Sequence, residues 1–230
     1  MAVHEASFSS GQPAIKQARV LIVEDHAVVL EGLATLIDDE PDFKVVGGAE
    51  NAEEALKLVS QVKPDVVIVD IALGETSGLD LIKQLHDDRP SMPLLALSMH
   101  DESLYAERAL RAGAKGYIMK KEARKKVMDA LRQVLGGEIY VSEKVALRMA
   151  HKLVDRQSSK GGSVLEQLSD REFEIFNLIA HGVGPTEIAN RLQVSVKTVE
   201  THRERIKQKL DLKTGQALTR FAVEWSMQQR

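Results

Sequence analysis

A doubly wound α/β domain followed by an all-helical domain is the fold that this sequence predicts. Three observations predict it. Short apolar runs alternate with helical patterns from residue 18 to 134, most of the runs stop on polar or charged residues, and past a polar stretch at 157–163 the chain reads as helix alone. Apolar runs this short and continuous read as strands buried on both faces of a parallel sheet. Strand–helix alternation then argues for helices covering both faces.

The elements follow in order. Val20, Leu21, Ile22 and Val23 form the first strand, and 28–37 a helix with Leu30, Leu33, Leu36 and Ile37 on one face. A short strand covers 43–46, and Asn51 is placed to cap a helix over 52–59. The third strand runs 65–70 and the third helix 78–85. Strands four and five fall at 94–98 and 116–118, followed by helices at 102–111 and 123–135. Pro64 and Pro93 sit just before strands, where a missing N–H is harmless. Gly136-Gly137 breaks the pattern, and Ser142 opens a further helix to 154. The residues at 157–163 have the Ser/Gly composition of a flexible linker. Beyond it Ser169 caps a helix striped with Phe173, Phe176 and Ile179. Gly182 and Gly184 end that helix, and Pro185 starts the next at a tolerated first-turn position. The expected division is a flexible tail at 1–17, an α/β domain at 18–135, a connecting helix and linker at 136–164, and a helical domain at 165–230.

Composition narrows the function classes. Charged residues make up 28% of the 230 and the formal net charge is −3, which does not by itself point to nucleic acid. There is no cysteine, so disulfides and thiolate metal sites are excluded. No apolar stretch approaches a membrane span, and 1–17 lack the cationic and apolar regions of a signal peptide. The expected location is the cytoplasm, with no membrane partner.

The strand ends carry the chemistry. The first strand stops on Glu24-Asp25, the third on Asp70, the fourth on Ser98, and Lys120 follows the fifth. In an open parallel sheet these ends form one rim, where ligands bind. Three carboxylates there repel one another unless a cation offsets them. Mg²⁺ suits such a site, because it takes one or two carboxylates plus phosphate oxygens and water. A carboxylate such as Asp70 can attack phosphorus and become an aspartyl phosphate. Lys120 and Mg²⁺ would balance the phosphoryl oxygens, and Ser98 could donate a hydrogen bond to one of them. Any one of these residues alone is commonly a solvated loop residue; five such residues in order at four strand ends are not. His26, beside the acidic pair, reads as a surface residue rather than a ligand, and His100 as lying close to the rim.

This constellation resembles the receiver domain of two-component response regulators. The resemblance covers residues 18–135. It implies a five-stranded sheet of order 2-1-3-4-5, Asp70 as phosphoacceptor, and Mg²⁺ held by Glu24, Asp25, Asp70 and the backbone carbonyl of Ala72. It implies Ser98, Tyr117 and Lys120 as the phosphoryl-stabilising and switch residues, and Gly78 as the glycine eight residues past the acceptor. Where many relatives carry Met-Pro after the acceptor, this chain has Leu73-Gly74.

In the helical domain, Ile188, Ala189 and Leu192 have helical spacing, 193–195 reads as a turn, and 196–210 as a longer helix that Ser195 caps. Two helices joined by a short turn make a helix-turn-helix, whose second helix enters the DNA major groove. Six basic residues (Lys197, Arg203, Arg205, Lys207, Lys209, Lys213) oppose Glu200, Glu204 and Asp211 there, a local excess hidden by the acidic whole. The segments at 168–172 and 195–202, with Glu187-Ile188-Ala189 between them, resemble the LuxR-type DNA-binding domain of NarL/FixJ-class regulators. That resemblance implies double-stranded DNA and a sensor histidine kinase as partners, and a homodimer on DNA. Lys197, Thr198, Glu200, Thr201, Arg203 and Glu204 are the expected DNA contacts. Gly184, Pro185 and Thr186 replace the small polar residue, Asn and Lys common before Glu-Ile-Ala, which implies weaker phosphate contact.

Two other readings stay open at this level. A phosphohydrolase of the haloacid dehalogenase type would also use an aspartate, a lysine and Mg²⁺, but needs a second aspartate where Ala72 stands. A constitutive DNA-binding protein would keep the rim without using it.

Overall fold

In the structure, a computed structural model, residues 17–74, 76–99, 101–122, 124–155 and 164–228 are described. Most of the expected tail and linker, and His100, lie outside them. The α/β half begins β1 (Ala18–Val23), α1 (Ala27–Asp38), β2 (Phe43–Ala49), α2 (Ala52–Val62) and β3 (Val66–Asp70). It continues β4 (Ala72–Leu73), β5 (Thr76–Ser77), α3 (Gly78–Asp88), β6 (Leu94–Ser98), α4 (Glu102–Ala112), β7 (Gly116–Met119) and α5 (Arg124–Leu135). Five strands form one parallel sheet in the order β2-β1-β3-β6-β7. With the small β4–β5 hairpin set aside, this is the expected 2-1-3-4-5 order. The hairpin itself was read as loop.

Strand periodicity divides the core in two. Leu21, Val23, Val67, Val69, Leu94 and Ala96 face α2, α3 and α4; Val20, Ile22, Val66, Ile68, Leu95 and Leu97 face α1 and α5. Alternate residues of each strand therefore bury on opposite faces. Fully burying one such aliphatic side chain contributes about 1.5–3 kcal/mol, which makes the central strands the rigid base of the rim. β2 runs on to Ala49, beyond the expected 46, because Gly47 and Gly48 pair with Leu21 and Ile22 after a register shift. Two glycines give no strand signal of their own; the neighbouring strand supplies it.

The remaining elements are helical. They are α6 (Glu143–Asp155), a 3₁₀ turn (Val164–Gln167), α7 (Asp170–Ala180), α8 (Pro185–Arg191), α9 (Val196–Lys209) and α10 (Gly215–Gln228). Ser169 and Glu172 form a reciprocal capping box at the start of α7, and Ser195 caps α9 by accepting from the Thr198 N–H. Phe176 packs its ring against Phe221 and Trp225 of α10, at centroid distances of 6.0 and 5.4 Å.

The two halves touch through α4 and α7. The Arg108 guanidinium donates to the Leu168 carbonyl (3.1 Å), the Asp170 carboxylate (2.9 Å) and the Leu165 carbonyl (2.7 Å). It also lies 4.0 Å above the Phe173 ring, whose edge meets fully buried Tyr105. A second contact joins buried Arg171 of α7 to the Gly74 carbonyl of the β4–β5 turn at 2.9 Å.

Candidate functional site: an acidic rim and a helix-turn-helix face

The sheet register brings the expected residues together. Asp70 of β3 pairs with Leu97, one residue before Ser98, and Ser98 pairs with Met119, one before Lys120. The Lys120 N–H donates to the Ser98 carbonyl at 2.7 Å, which aims the lysine back over the strand ends. Its Nζ lies 2.7 Å from Asp70 Oδ2 and 2.5 Å from Glu24 Oε2. Glu24 is fully buried and Asp70 is 2% exposed. The Ala72 N–H donates to Asp70 Oδ1 at 3.2 Å. Ser98 and Tyr117, both buried, share a side-chain hydrogen bond beside them.

The β3–α3 connection passes very close to the acceptor. The Gly78 N–H donates to the Ile71 carbonyl, and a Cβ on Gly78 would fall 1.9 Å from the Asp70 carbonyl oxygen. Only glycine fits there, which explains its place eight residues past Asp70.

Burial disfavours the charged form of Asp70 more than Lys120 favours it, so its pKa rises to about 6. For Lys120 burial acts downward, but Asp70 and Glu24 outweigh it and hold its pKa above the ordinary value. The Tyr117 phenol is pushed up by burial.

His26 lies at the surface, as expected, and also meets the acidic pair. Its ring is largely exposed, but Nδ1 reaches Asp25 Oδ1 at 2.7 Å and Glu24 Oε1 at 3.1 Å. The Asp25 charge, above all, raises its pKa. Glu24, Asp25, His26 and Asp70 each offer a ligand atom within 4.8 Å of the others. Glu24 Oε2 and Asp25 Oδ1 are both buried, the first against the Lys120 ammonium and the second against the His26 ring. Three carboxylates against one ammonium and one largely exposed imidazole fit a hard divalent cation.

On the helical side, Lys197, Glu200, Thr201 and Glu204 lie exposed along α9. Thr198 is half-buried, and its hydroxyl joins the Ser195 cap at 2.8 Å. The Arg203 side chain is only 17% exposed and turns toward the start of α10, lining a recess with Thr214, Gly215, Thr219 and Arg220. Arg205, counted in the basic excess but not among the expected DNA contacts, is exposed. The interdomain residues Arg108, Tyr105 and Arg171 were missed as well. A lone arginine on a helix carries no local signal for a partner 60 or 97 residues away.

A parallel sheet with this rim, joined to a capped helix-turn-helix, defines a receiver fused to a DNA-binding module. The comparisons agree. The family described as "Response regulator receiver domain" matches residues 20–132, and "Bacterial regulatory proteins, luxR family" matches 166–222. The chain belongs to the two-component response regulators of the LuxR-type, NarL-like class. It is a DNA-binding transcription regulator rather than an enzyme, which removes the phosphohydrolase reading.

Among curated relatives, the oxygen regulatory protein NreC of Staphylococcus haemolyticus (strain JCSC1435) is 38% identical over 211 residues, covering 90% of this chain and 97% of that protein. A LuxR-family two-component response regulator from Aurantimonas sp. SI85-9A1 aligns with TM-score 0.56 at 31% identity, over 60% of this chain and 99% of that one. RcsB from Salmonella enterica serovar Typhimurium, bound to the promoter rprA with the phosphomimetic BeF3-, aligns with TM-score 0.56 at 25% identity, over 90% and 99%. A receiver implies a histidine kinase partner, and its acidic pocket typically binds Mg²⁺. Among the described residues no helix is long and apolar enough to cross a membrane.

Proposed function

We propose that Asp70 accepts a phosphoryl group from a sensor histidine kinase and that this event controls DNA binding by α9. The observation that supports it most is the Lys120 ammonium bridging the Asp70 and Glu24 carboxylates. With a pKa of about 6, Asp70 is mostly ionised at neutral pH and is a partly desolvated nucleophile. Its Oδ attacks the phosphorus of the donor phosphohistidine. The P–N bond breaks, the electron pair leaves with the imidazole nitrogen, and an acyl phosphate forms. Lys120 stays protonated and turns from the carboxylate toward the new phosphoryl oxygens. The Ser98 hydroxyl donates to one of them, which breaks its bond to Tyr117 and frees the ring to move.

Glu24, Asp25, Asp70 and the Ala72 carbonyl are the groups we assign to Mg²⁺. When bound, the ion supplies charge neutralisation of the phosphoryl oxygens. The division at 18–135, 136–164 and 165–230 is the one under which these roles operate. On DNA the regulator acts as a homodimer in the cytoplasm, with Lys197, Glu200, Thr201 and Glu204 presented to the groove and Thr198 and Arg203 supporting them from the cap and from α10. The test is labelling by a small phosphodonor with Mg²⁺, followed by intact mass. Wild type should gain one acid-labile phosphoryl group and Asp70→Asn none; labelling that persists in Asp70→Asn would refute the assignment.

A further inference from the structure

His26 stands at the start of α1 without serving the helix. It occupies the N-cap position with extended backbone (φ −99°, ψ 103°), and its side chain makes no capping hydrogen bond. A Ser, Thr, Asp or Asn there would contribute about 1 kcal/mol. The imidazole is turned onto the acidic pair instead. Nδ1 lies 2.7 Å from Asp25 Oδ1 and 3.1 Å from Glu24 Oε1, and the His26 N–H donates to the same Glu24 oxygen at 3.2 Å. The ring is 59% exposed, so the acids rather than packing hold it there.

The rim oxygens are divided between two nitrogen groups. Lys120 Nζ meets Asp70 Oδ2 and Glu24 Oε2, and His26 meets the other Glu24 oxygen and Asp25. Glu24, Asp25, His26 and Asp70 each offer one donor atom within 4.8 Å of the rest. Adjacent donors around an octahedral ion with bonds of roughly 2.1 Å stand about 3 Å apart. The His26 nitrogen and its two carboxylate oxygens already have that spacing. Donor chemistry then separates the candidate ions. Mg²⁺ takes oxygen ligands and keeps several waters. An imidazole nitrogen suits first-row transition ions, whose affinity for mixed nitrogen and oxygen sites rises from Mn²⁺ through Co²⁺ and Ni²⁺.

We propose that His26 is a nitrogen ligand of the rim cation and gives the acceptor site a preference for divalent first-row transition metals over Mg²⁺. This rests on the assignment of Glu24, Asp25 and Asp70 to the cation and adds a fourth side chain to it. The ion beside Asp70 is then set by the supply of the transition metal as well as of Mg²⁺.

The experiment uses the full chain without phosphodonor. Co²⁺ and Mg²⁺ are titrated separately by calorimetry into wild type, His26→Gln and Asp25→Asn, and X-ray absorption is recorded on each protein loaded with one equivalent of Co²⁺. Wild type should bind Co²⁺ roughly 100-fold more tightly than Mg²⁺ and show the outer-shell scattering of one imidazole. His26→Gln should lose that scattering and lower the Co²⁺ over Mg²⁺ preference roughly tenfold or more, since even a group that only supports a metal ligand is worth 10–100-fold in affinity. An unchanged preference overturns the proposal. So does tighter binding of both ions by His26→Gln, which would make the imidazole a counter-group that the cation displaces. Wild type without imidazole scattering overturns it as well, and that arm needs no variant to fold. Wild type that binds neither ion, or Asp25→Asn that binds both as wild type does, refutes the rim's assignment to a cation and the ligand role with it.

Discussion

Replacing Asp70 by Asn should stabilise the protein at neutral pH when divalent cations are chelated. The buried carboxylate carries a folded-state pKa of about 6 against an ordinary 3.8, with burial as the largest cause. That rise is the net effect after Lys120 has acted in the opposite direction, so ionised Asp70 is a burden even with its partner in place. A folded state that holds its proton more tightly than the unfolded chain loses stability as pH rises from about 4 through about 6. The loss is complete above pH 6 and amounts to on the order of 3 kcal/mol. Asn removes the charge and keeps the acceptor for the Ala72 N–H, while Lys120 retains Glu24 at 2.5 Å. In EDTA at pH 7.5 the variant should melt on the order of 10 °C above wild type. The gap should close toward pH 4, where both side chains are neutral. Calorimetry across that pH range is the assay. A variant less stable than wild type at pH 7.5, or a gap that does not change with pH, would refute the reasoning.

Three further outcomes are expected. Gly78→Ala forces a Cβ to within 1.9 Å of the Asp70 carbonyl oxygen and should destabilise the receiver by roughly 3 kcal/mol or more, read as a fall in its melting transition. Phe176→Ala empties a fully buried ring site against Phe221 and Trp225 and should cost about 3–5 kcal/mol, lowering the helical domain's unfolding midpoint in denaturant. Lys197→Ala removes an exposed cation at the start of α9 and should reduce the slope of log affinity for duplex against log salt by about one, measured by fluorescence anisotropy.

The rim was legible because each of its members stands at the end of a short apolar run, and a parallel sheet must gather such ends on one edge. Glu24, Asp25, Asp70, Ser98 and Lys120 could be named from that rule alone. The caps at Asn51, Ser169 and Ser195 were legible for a similar reason: capping is decided within four residues. His26 was read as a surface residue, and its ring is largely exposed; its ion pair with the acids carried no local signal. Only the fold of the β1–α1 turn brings its Nδ1 to 2.7 Å from Asp25.

By itself, then, the sequence determined the strands, the helices, the residue types at the rim and the helix-turn-helix, since periodicity and capping act over a few residues. Tertiary structure decided the rest. It closed β2 over two glycines, turned Arg203 away from the exposed face of α9, raised the pKa of Asp70 through burial, and set Arg108 and Arg171 across the boundary between the halves. Each of these depends on groups that only packing makes neighbours. The Arg171–Gly74 bond spans 97 residues, and no local pattern in the chain carries information over that distance.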